Sequence, residues 1–416
     1  MAAPMLRALR DPAIGRLWVA LGLSALADQS FNVVLSWVAV VAFGSAAGYM
    51  AVLQGAVGLG VALLLGHRAD RFAPLSVMGA TLLLRAAALG LVAGTWLLSG
   101  QPVGWVLVLA VAILAAGLAV FRPAVQGALP GLAREAAMLP PANALLDTTE
   151  RIARLLGPGL LSLAAGVLPL VWFVGLEMAG FLAAALAVAL LARRFPQEAP
   201  PPARESVVAA VARGFGTVRR HPLLFTLLLM TAPMNGAWYA ALFLGTPLII
   251  EAAGIRIAGG SGLAAFGLVI ATYGGANLAA TLVVGNLGLP RRPAGVIFMG
   301  YVILGAGIVA MGVAALALPP AWVLAGLLGG AALSGIGAPM MDVATATVRQ
   351  TELPRRDLPA AVRAFMVVNN LGLLLVMAAA PLVFDAIGVA RSVALCGAVI
   401  AAMGVGGLLR AHPRAG

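Results

Sequence analysis

The chain has 416 residues, of which 62% are hydrophobic and only 10% charged, and its mean hydropathy is +1.05. A soluble domain carries roughly 25% charged residues, so a water-facing globule of this length is excluded, and most of the surface must meet lipid or other apolar helices. The formal net charge of +12 comes wholly from arginine, because the sequence has no lysine.

Apolar runs long enough to cross roughly 30 Å of hydrocarbon recur at 14–43, 46–66, 76–98, 103–124, 146–167, 169–192, 223–250, 261–286, 293–316, 321–345, 360–384 and 390–410. They predict an all-α integral membrane protein with twelve transmembrane helices. The alternating ten-residue segments of a membrane β-barrel are absent from the sequence. The first run is broken by Ser24, Asp28, Gln29, Ser30 and Asn32, which sets it apart from a signal peptide.

Asp28 lies about halfway along that first span. A carboxylate there costs about 2.5–3.5 kcal/mol on insertion scales, which points to a proton-coupling site or to a structural carboxyl held by Ser24 or Asn32. In the third span Arg85 lies near mid-depth, and Glu177 lies several residues into the sixth. An unpaired arginine in lipid is hard to sustain, so the two are expected to form an ion pair. If they do not, Glu177 is a second proton-coupling candidate.

The fifth span opens with Asp147, Glu150, Arg151 and Arg154, at spacings that allow the pairs Asp147–Arg151 and Glu150–Arg154. These charges form either a solvated face or, with Asp70, Arg71 and Arg122, an inner gate. Asp342, Arg349 and Arg363 are the counterpart gate and conformational-switch candidates in the second half. Candidates to line a substrate cavity are Asn32, Trp37, Gln54, Asn235, Trp238, Tyr239, Tyr273, Asn277, Asn369 and Asn370. Each amide also suits interhelical hydrogen bonding.

Between the sixth and seventh spans, Pro200-Pro201-Pro202 stops the helix. Val207, Val208, Val211, Phe215 and Val218 then recur near helical spacing among Arg213, Arg219 and Arg220. That pattern predicts a short amphipathic helix at the inner membrane surface, although Gly214 and Gly216 would weaken it. The expected domains are an N-terminal six-helix bundle over 1–192, a linker over 193–222 and a C-terminal six-helix bundle over 223–416. Arg10-Asp11-Pro12 and Arg220-His221-Pro222 open the two halves alike. With both termini in the cytoplasm, only Arg256 and Arg391 fall on the outer side, which satisfies the positive-inside rule and argues against a nucleic-acid site.

Gly66-His-Arg-Ala-Asp70-Arg71 resembles the G-x-x-x-D-R loop of the major facilitator superfamily, and the similarity covers nearly the whole chain. Phe121-Arg122-Pro123-Ala124, Ala142-Asn143-Ala144-Leu145, Gly214-Phe-Gly-Thr-Val-Arg219-Arg220-His221-Pro222 and Val348-Arg349-Gln350 are similar to the branch of enterobactin exporters and macrolide efflux proteins. Gly157-Pro158 resembles the G-P motif of superfamily antiporters. The resemblance implies the two-bundle major facilitator fold and alternating access. It also implies export often coupled to proton entry, and it puts Asp28 near the substrate path. A lysophospholipid-transporter-like relative shares an acid in the first span, so a lipid transporter or flippase-like facilitator is the alternative.

Enzyme chemistry has no foothold. The three histidines (His67, His221 and His412) fall outside the spans, Cys396 is the lone cysteine, and there is no Walker loop, metal-ligand spacing or nucleophile elbow. The expected energy source is a proton gradient, with no cofactor and no metal. The expected partners are the bilayer and an amphipathic small molecule (drug or siderophore type) or a lipid, with no nucleic acid and a monomeric chain. Arginine-only basic usage with abundant Ala and Gly suggests a bacterial inner membrane.

Overall fold

The computed structural model describes residues 2–64, 71–133, 135, 138–165, 167–198, 207–257, 262–287, 293–354 and 357–411, and among these helix is the only regular secondary structure. In hydrocarbon every backbone N–H and C=O must be satisfied within the segment, so apolar runs of this length become helices. The chain starts with a helix the apolar runs did not suggest, α1 (Ala2–Arg10), followed by α2 (Pro12–Phe43). The Asp11 carboxylate accepts hydrogen bonds from the backbone N–H groups of Ala13 at 2.9 Å and Ile14 at 3.1 Å. It thereby caps α2 and separates it from α1. A 3₁₀ turn at Gly44–Ala47 leads into α3 (Gly48–Leu64). Then follow α4 (Pro74–Ser99), α5 (Gly104–Leu132), α6 (Leu139–Ala164) and α7 (Leu170–Arg194). Pro74 opens α4, and Gly100, at φ +75°, closes it in the left-handed conformation that glycine adopts without strain.

The linker region holds α8 (Val207–Arg219), and the second half begins with α9 (Pro222–Tyr239). The seventh span expected over 223–250 is the helical run Pro222–Ala252, in which a π turn at Ala240–Gly245 joins α9 to α10 (Thr246–Ala252). Pro247 brings no N–H to the helix, and the Ala241 carbonyl accepts from both the backbone N–H of Thr246 and its hydroxyl, the latter at 3.1 Å. The remaining helices are α11 (Gly262–Leu287), α12 (Pro293–Ala317), α13 (Pro320–Glu352), α14 (Leu358–Ile387) and α15 (Val389–Ala411).

Among the described residues, ten helical runs are long and apolar enough to cross a membrane. The run Pro12–Ala62 is 51 residues long. As one helix it would measure about 75 Å, more than twice the hydrocarbon thickness, and the turn at Gly44–Ala47 divides it. The helix α6 is not among the ten, because Asp147, Glu150, Arg151 and Arg154 fall within its central turns.

Packing divides the chain into two units. The first comprises Met1–Val38 and Leu53–Arg204, and the second Ala39–Val52 and Glu205–Gly416. The short segment around the 3₁₀ turn belongs to the second unit because Gly48 sits against Pro381 of α14, where an added Cβ would lie 2.9 Å from its ring. Within that unit α12 is seamed to its neighbours by glycines. A Cβ on Gly337 of α13 would lie 2.6 Å from the Gly300 carbonyl, and one on Gly305 would lie 2.6 Å from the Gly397 carbonyl of α15. Such close approach is how membrane helices gain contact without a hydrophobic driving force between them.

The same logic explains Gly214. From sequence it reads as a weak point, yet α8 forms, and a Cβ at Gly214 would collide with the Ala360 carbonyl of α14. Val218 is buried beside this contact, and Phe215 meets Phe225 edge to face at 5.8 Å. Gly216 faces open space. Gly214→Leu is therefore expected to detach α8 and to speed tryptic cleavage at Arg213 and Arg219 about tenfold or more, the consequence of overpacking worth about 1–3 kcal/mol. Gly216→Leu is expected to leave the digestion rate unchanged, and equal rates in the two variants would contradict the docking.

Candidate functional site

Four helices of the first unit enclose a cluster of charges. Asp28 comes from the middle of α2, Arg85 from the middle of α4 and Glu177 from the second turn of α7, while α5 contributes Gly117, which has no side chain. Arg85 is 2% exposed and Glu177 4%, although both lie in apolar stretches. The Arg85 guanidinium forms an ion pair with Asp28, donating from one terminal nitrogen to Oδ1 and from the other to Oδ2 at 3.5 Å. It also lies 4.1 Å above the ring of Phe181, a cation–π contact within α7's reach. An added Cβ at Gly117 would stand 2.8 Å from Cγ and 2.9 Å from Cδ of Arg85, so only glycine there leaves room for the arginine stem.

This corrects the expected Arg85–Glu177 pair: the partner of Arg85 is Asp28. Depth along the spans was a sound guide to which charges share a level, but it carries no information on which faces of the helices meet. Glu177 is within electrostatic reach of both Asp28 and Arg85, yet its buried Oε2 has no hydrogen-bond partner. Nor is Asp28 held by Ser24 or by the Asn32 side chain. The Ser24 hydroxyl is buried without a partner, and the Asn32 amide donates to the Asp28 backbone carbonyl at 2.9 Å.

The Gly157-Pro158 motif lies beside this cluster. A Cβ at Gly157 would sit 3.1 Å from the Gln29 Cβ and from the Ser30 backbone nitrogen, so α6 approaches α2 one residue beyond Asp28. The Trp18 indole N–H donates to the Thr149 hydroxyl at 2.7 Å and ties the same two helices lower down. Beyond the charges, the same four helices enclose a wholly apolar cleft lined by Phe31, Val34, Val38, Trp96, Val111 and Val174, among others.

The gate candidates are only partly joined. Asp147 and Arg151 form an exposed ion pair at 3.1 Å. Glu150 and Arg154 are both exposed and make none among the described residues, as expected where a solvent-screened attraction offsets little of the side-chain entropy lost on pairing. Arg71 and Arg122 are exposed, and Asp70 lies outside the described residues. In the second unit Asp342 acts electrostatically on Arg349, whose guanidinium lies 4.8 Å over the Phe365 ring, while Arg363 is exposed. Sequence reasoning missed buried Tyr301, which bonds to Thr231 and feels Asp342. A tyrosine in an otherwise apolar span was the available signal.

Of the cavity candidates, Trp238, Tyr239 and Tyr273 come together in one aromatic cluster with Phe243 and Phe266. Trp238 lies 5.6 Å from Tyr273, and Tyr239 stacks on Phe243 at 4.7 Å. Asn277 is buried near them on α11; the Asn235 amide reaches only its own helix, at the Thr231 carbonyl, 3.5 Å away. The Asn369 oxygen is buried without a partner, Asn370 and Gln54 are half-buried, and Trp37 is in the core of the first unit.

Comparison with known proteins bears on the family and the fold. The sequence matches the model of the Major Facilitator Superfamily over residues 17–315. No curated protein matches it. Among solved structures, the POT family transporter PepTSo superposes with a TM-score of 0.72 at 12% identity, covering 96% of this chain and 97% of that one. An auto-inhibited POT family peptide transporter gives 0.69 at 13% identity, covering 95% and 96%. A POT family transporter in complex with a thioalcohol-conjugated peptide gives 0.66 at 11% identity, covering 95% of each chain. At such identity the likeness is one of fold.

The ion pair makes a stability prediction. Breaking a buried pair by removing one partner costs about 3–5 kcal/mol, so Arg85→Met is expected to lower stability in detergent by that order. Adding Asp28→Asn to Arg85→Met should restore most of the loss, because the two residues are coupled. Strictly additive losses, read by thermal unfolding of purified protein, would contradict the pairing.

Proposed function

This chain belongs to the Major Facilitator Superfamily, and we propose that it is a proton-coupled exporter of an amphipathic organic molecule, of drug or siderophore type, working by alternating access. In this reading the ten apolar runs resolve into twelve spans, with Pro12–Ala62 crossing twice and α6 crossing despite its charged start. Both termini face the cytoplasm, the protein is monomeric in a bacterial inner membrane, and the proton gradient serves in place of any cofactor.

The observation that carries this reading is the cluster of Asp28, Arg85 and Glu177 inside the first unit. Ionisable residues within membrane spans are costly and mark proton relays and substrate pathways. Two carboxyls beside one guanidinium can hold a proton without leaving a net charge in the bundle. The Gly157-Pro158 contact with α2 at Gln29 and Ser30, the two residues after Asp28, gives the antiporter-like motif a mechanical reason to matter. The resemblance to enterobactin and macrolide exporters supports the outward direction. Peptide transport belongs to the solved relatives, whose likeness to this chain is one of fold alone.

A second reading, lysophospholipid or lipid transport, is favoured by one feature: the cleft beyond the charges has no polar lining residue and suits an acyl chain.

Inside-out vesicles with an imposed pH gradient, screened with dyes, macrolides, siderophores and lysolipids, separate the two. Gradient-driven uptake of a drug or siderophore is expected, reduced at least about tenfold in Asp28→Asn at equal protein level, in line with loss of an essential proton-transfer group. Uptake of lysolipid alone, indifferent to both gradient and mutation, would replace this reading with the lipid one.

A further inference from the structure

Two carboxyls and one guanidinium share the interior of the first unit, and their polar atoms do not all find partners. Arg85 gives both terminal nitrogens to Asp28, while its buried Nε has no acceptor. Glu177, on the neighbouring helix, has a buried Oε2 with no donor. An orphaned donor and an orphaned acceptor therefore lie in one cluster. The guanidinium rests over Phe181, which is one helical turn from Glu177 on the same face of α7. Buried polar groups without partners are rare in native proteins, and each calls for a specific explanation.

The charged groups that act on Glu177 are Asp28 from α2 and Arg85 from α4, and α5 meets the arginine only through Gly117. Arg85 is already committed to Asp28. An ionised Glu177 would then be a second buried negative charge with no cation of its own, which costs several kcal/mol. Carrying a proton, it is neutral and sits comfortably against the pair.

We propose that Arg85 is a shuttle between the two carboxyls, and that Glu177, not Asp28, holds the proton while the Asp28–Arg85 pair is closed. In the step that follows, the O–H bond on Glu177 breaks and an O–H bond forms on Asp28. Arg85 leaves Asp28 and pairs with Glu177. One proton and one guanidinium are present on both sides of the step, so the buried cluster remains neutral throughout. The Asp28 side chain is 22% exposed, against 3% for that of Arg85, and in this proposal Asp28 is the member of the cluster that exchanges the proton with its surroundings. Gly117 leaves the Cγ–Cδ stem free to turn, a movement that a Cβ at 2.8 Å would block.

The use of this shuttle in transport rests on the proton coupling proposed above, but its test does not. Infrared spectra of the purified protein in lipid nanodiscs at neutral pH report buried protonated carboxyls through their acid C=O band, while solvent-exposed carboxyls are ionised. Wild type is expected to show the band and Glu177→Gln to lose it. Asp28→Asn is expected to lose it too, although Glu177 is intact, because Arg85 then pairs with Glu177 and drives off its proton. Asp28→Ser provides the same reading should the asparagine variant fold poorly. A band that survives in Asp28→Asn and Asp28→Ser would make Glu177 a fixed neutral acid and overturn the shuttle. A band that survives in Glu177→Gln would place the proton elsewhere and overturn it equally. Transport indifferent to a pH gradient, alongside a band silenced by Asp28→Asn, would refute proton coupling while upholding the shuttle.

Discussion

A guanidinium buried among membrane helices constrains everything packed around it. Arg85 cannot give up its charge, and leaving it unpaired in hydrocarbon would cost several kcal/mol. The surrounding helices therefore have to bring a carboxyl to it, and α2 does so with Asp28. They also have to leave space for a long side chain, and α5 does so by carrying Gly117 at the point of contact. The face of α7 completes the enclosure with the Phe181 ring, whose π-electron surface attracts the cation. Once these three demands are met, the relative rotations of α2, α4, α5 and α7 are largely set. Glu177 is then held where its protonation state has to answer to the ion pair.

The two units solve the problem of packing in lipid by different means. In the second unit, glycine seams along α12 bring backbones into direct contact, and aromatic rings gather around the π turn. Such seams are close-fitting and leave little room for side chains to rearrange. The first unit places an ion pair and a second carboxyl at its centre, beside an apolar cleft. A switch needs two arrangements of similar energy, and an arginine with two candidate partners offers them where a glycine seam does not.

Much of this architecture is legible in the residues. Apolar run length against bilayer thickness gives the helices, and the polar breaks at Asp28, Arg85 and Glu177 mark the charged centre, because each is costly wherever it points. What run length cannot convey is rotation about the helix axis. Arg85 and Glu177 matched in depth, and only the three-dimensional packing shows that Arg85 turns to Asp28. Gly214 was misleading for a related reason: intrinsic propensity treats glycine as a weakness, whereas here its missing side chain is what lets α8 touch α14. The π turn was hidden in a run that reads as continuous, and Pro247 was its one visible trace. The helix α1 was overlooked because it is too short to cross a membrane, although Arg7 and Arg10 beside Leu6 give it two distinct faces.

In the proposed mechanism, proton movement through the Asp28–Arg85–Glu177 cluster is tied to substrate movement. The most direct measurement is proton flux itself, in proteoliposomes that enclose a pH-sensitive dye and face a gradient of a transported compound with no imposed pH difference. Proton-coupled export through this cluster requires protons to move opposite to the substrate, and this flux to vanish in Glu177→Gln. Substrate movement that leaves the internal pH unchanged, or proton flux that persists in Glu177→Gln, would contradict it.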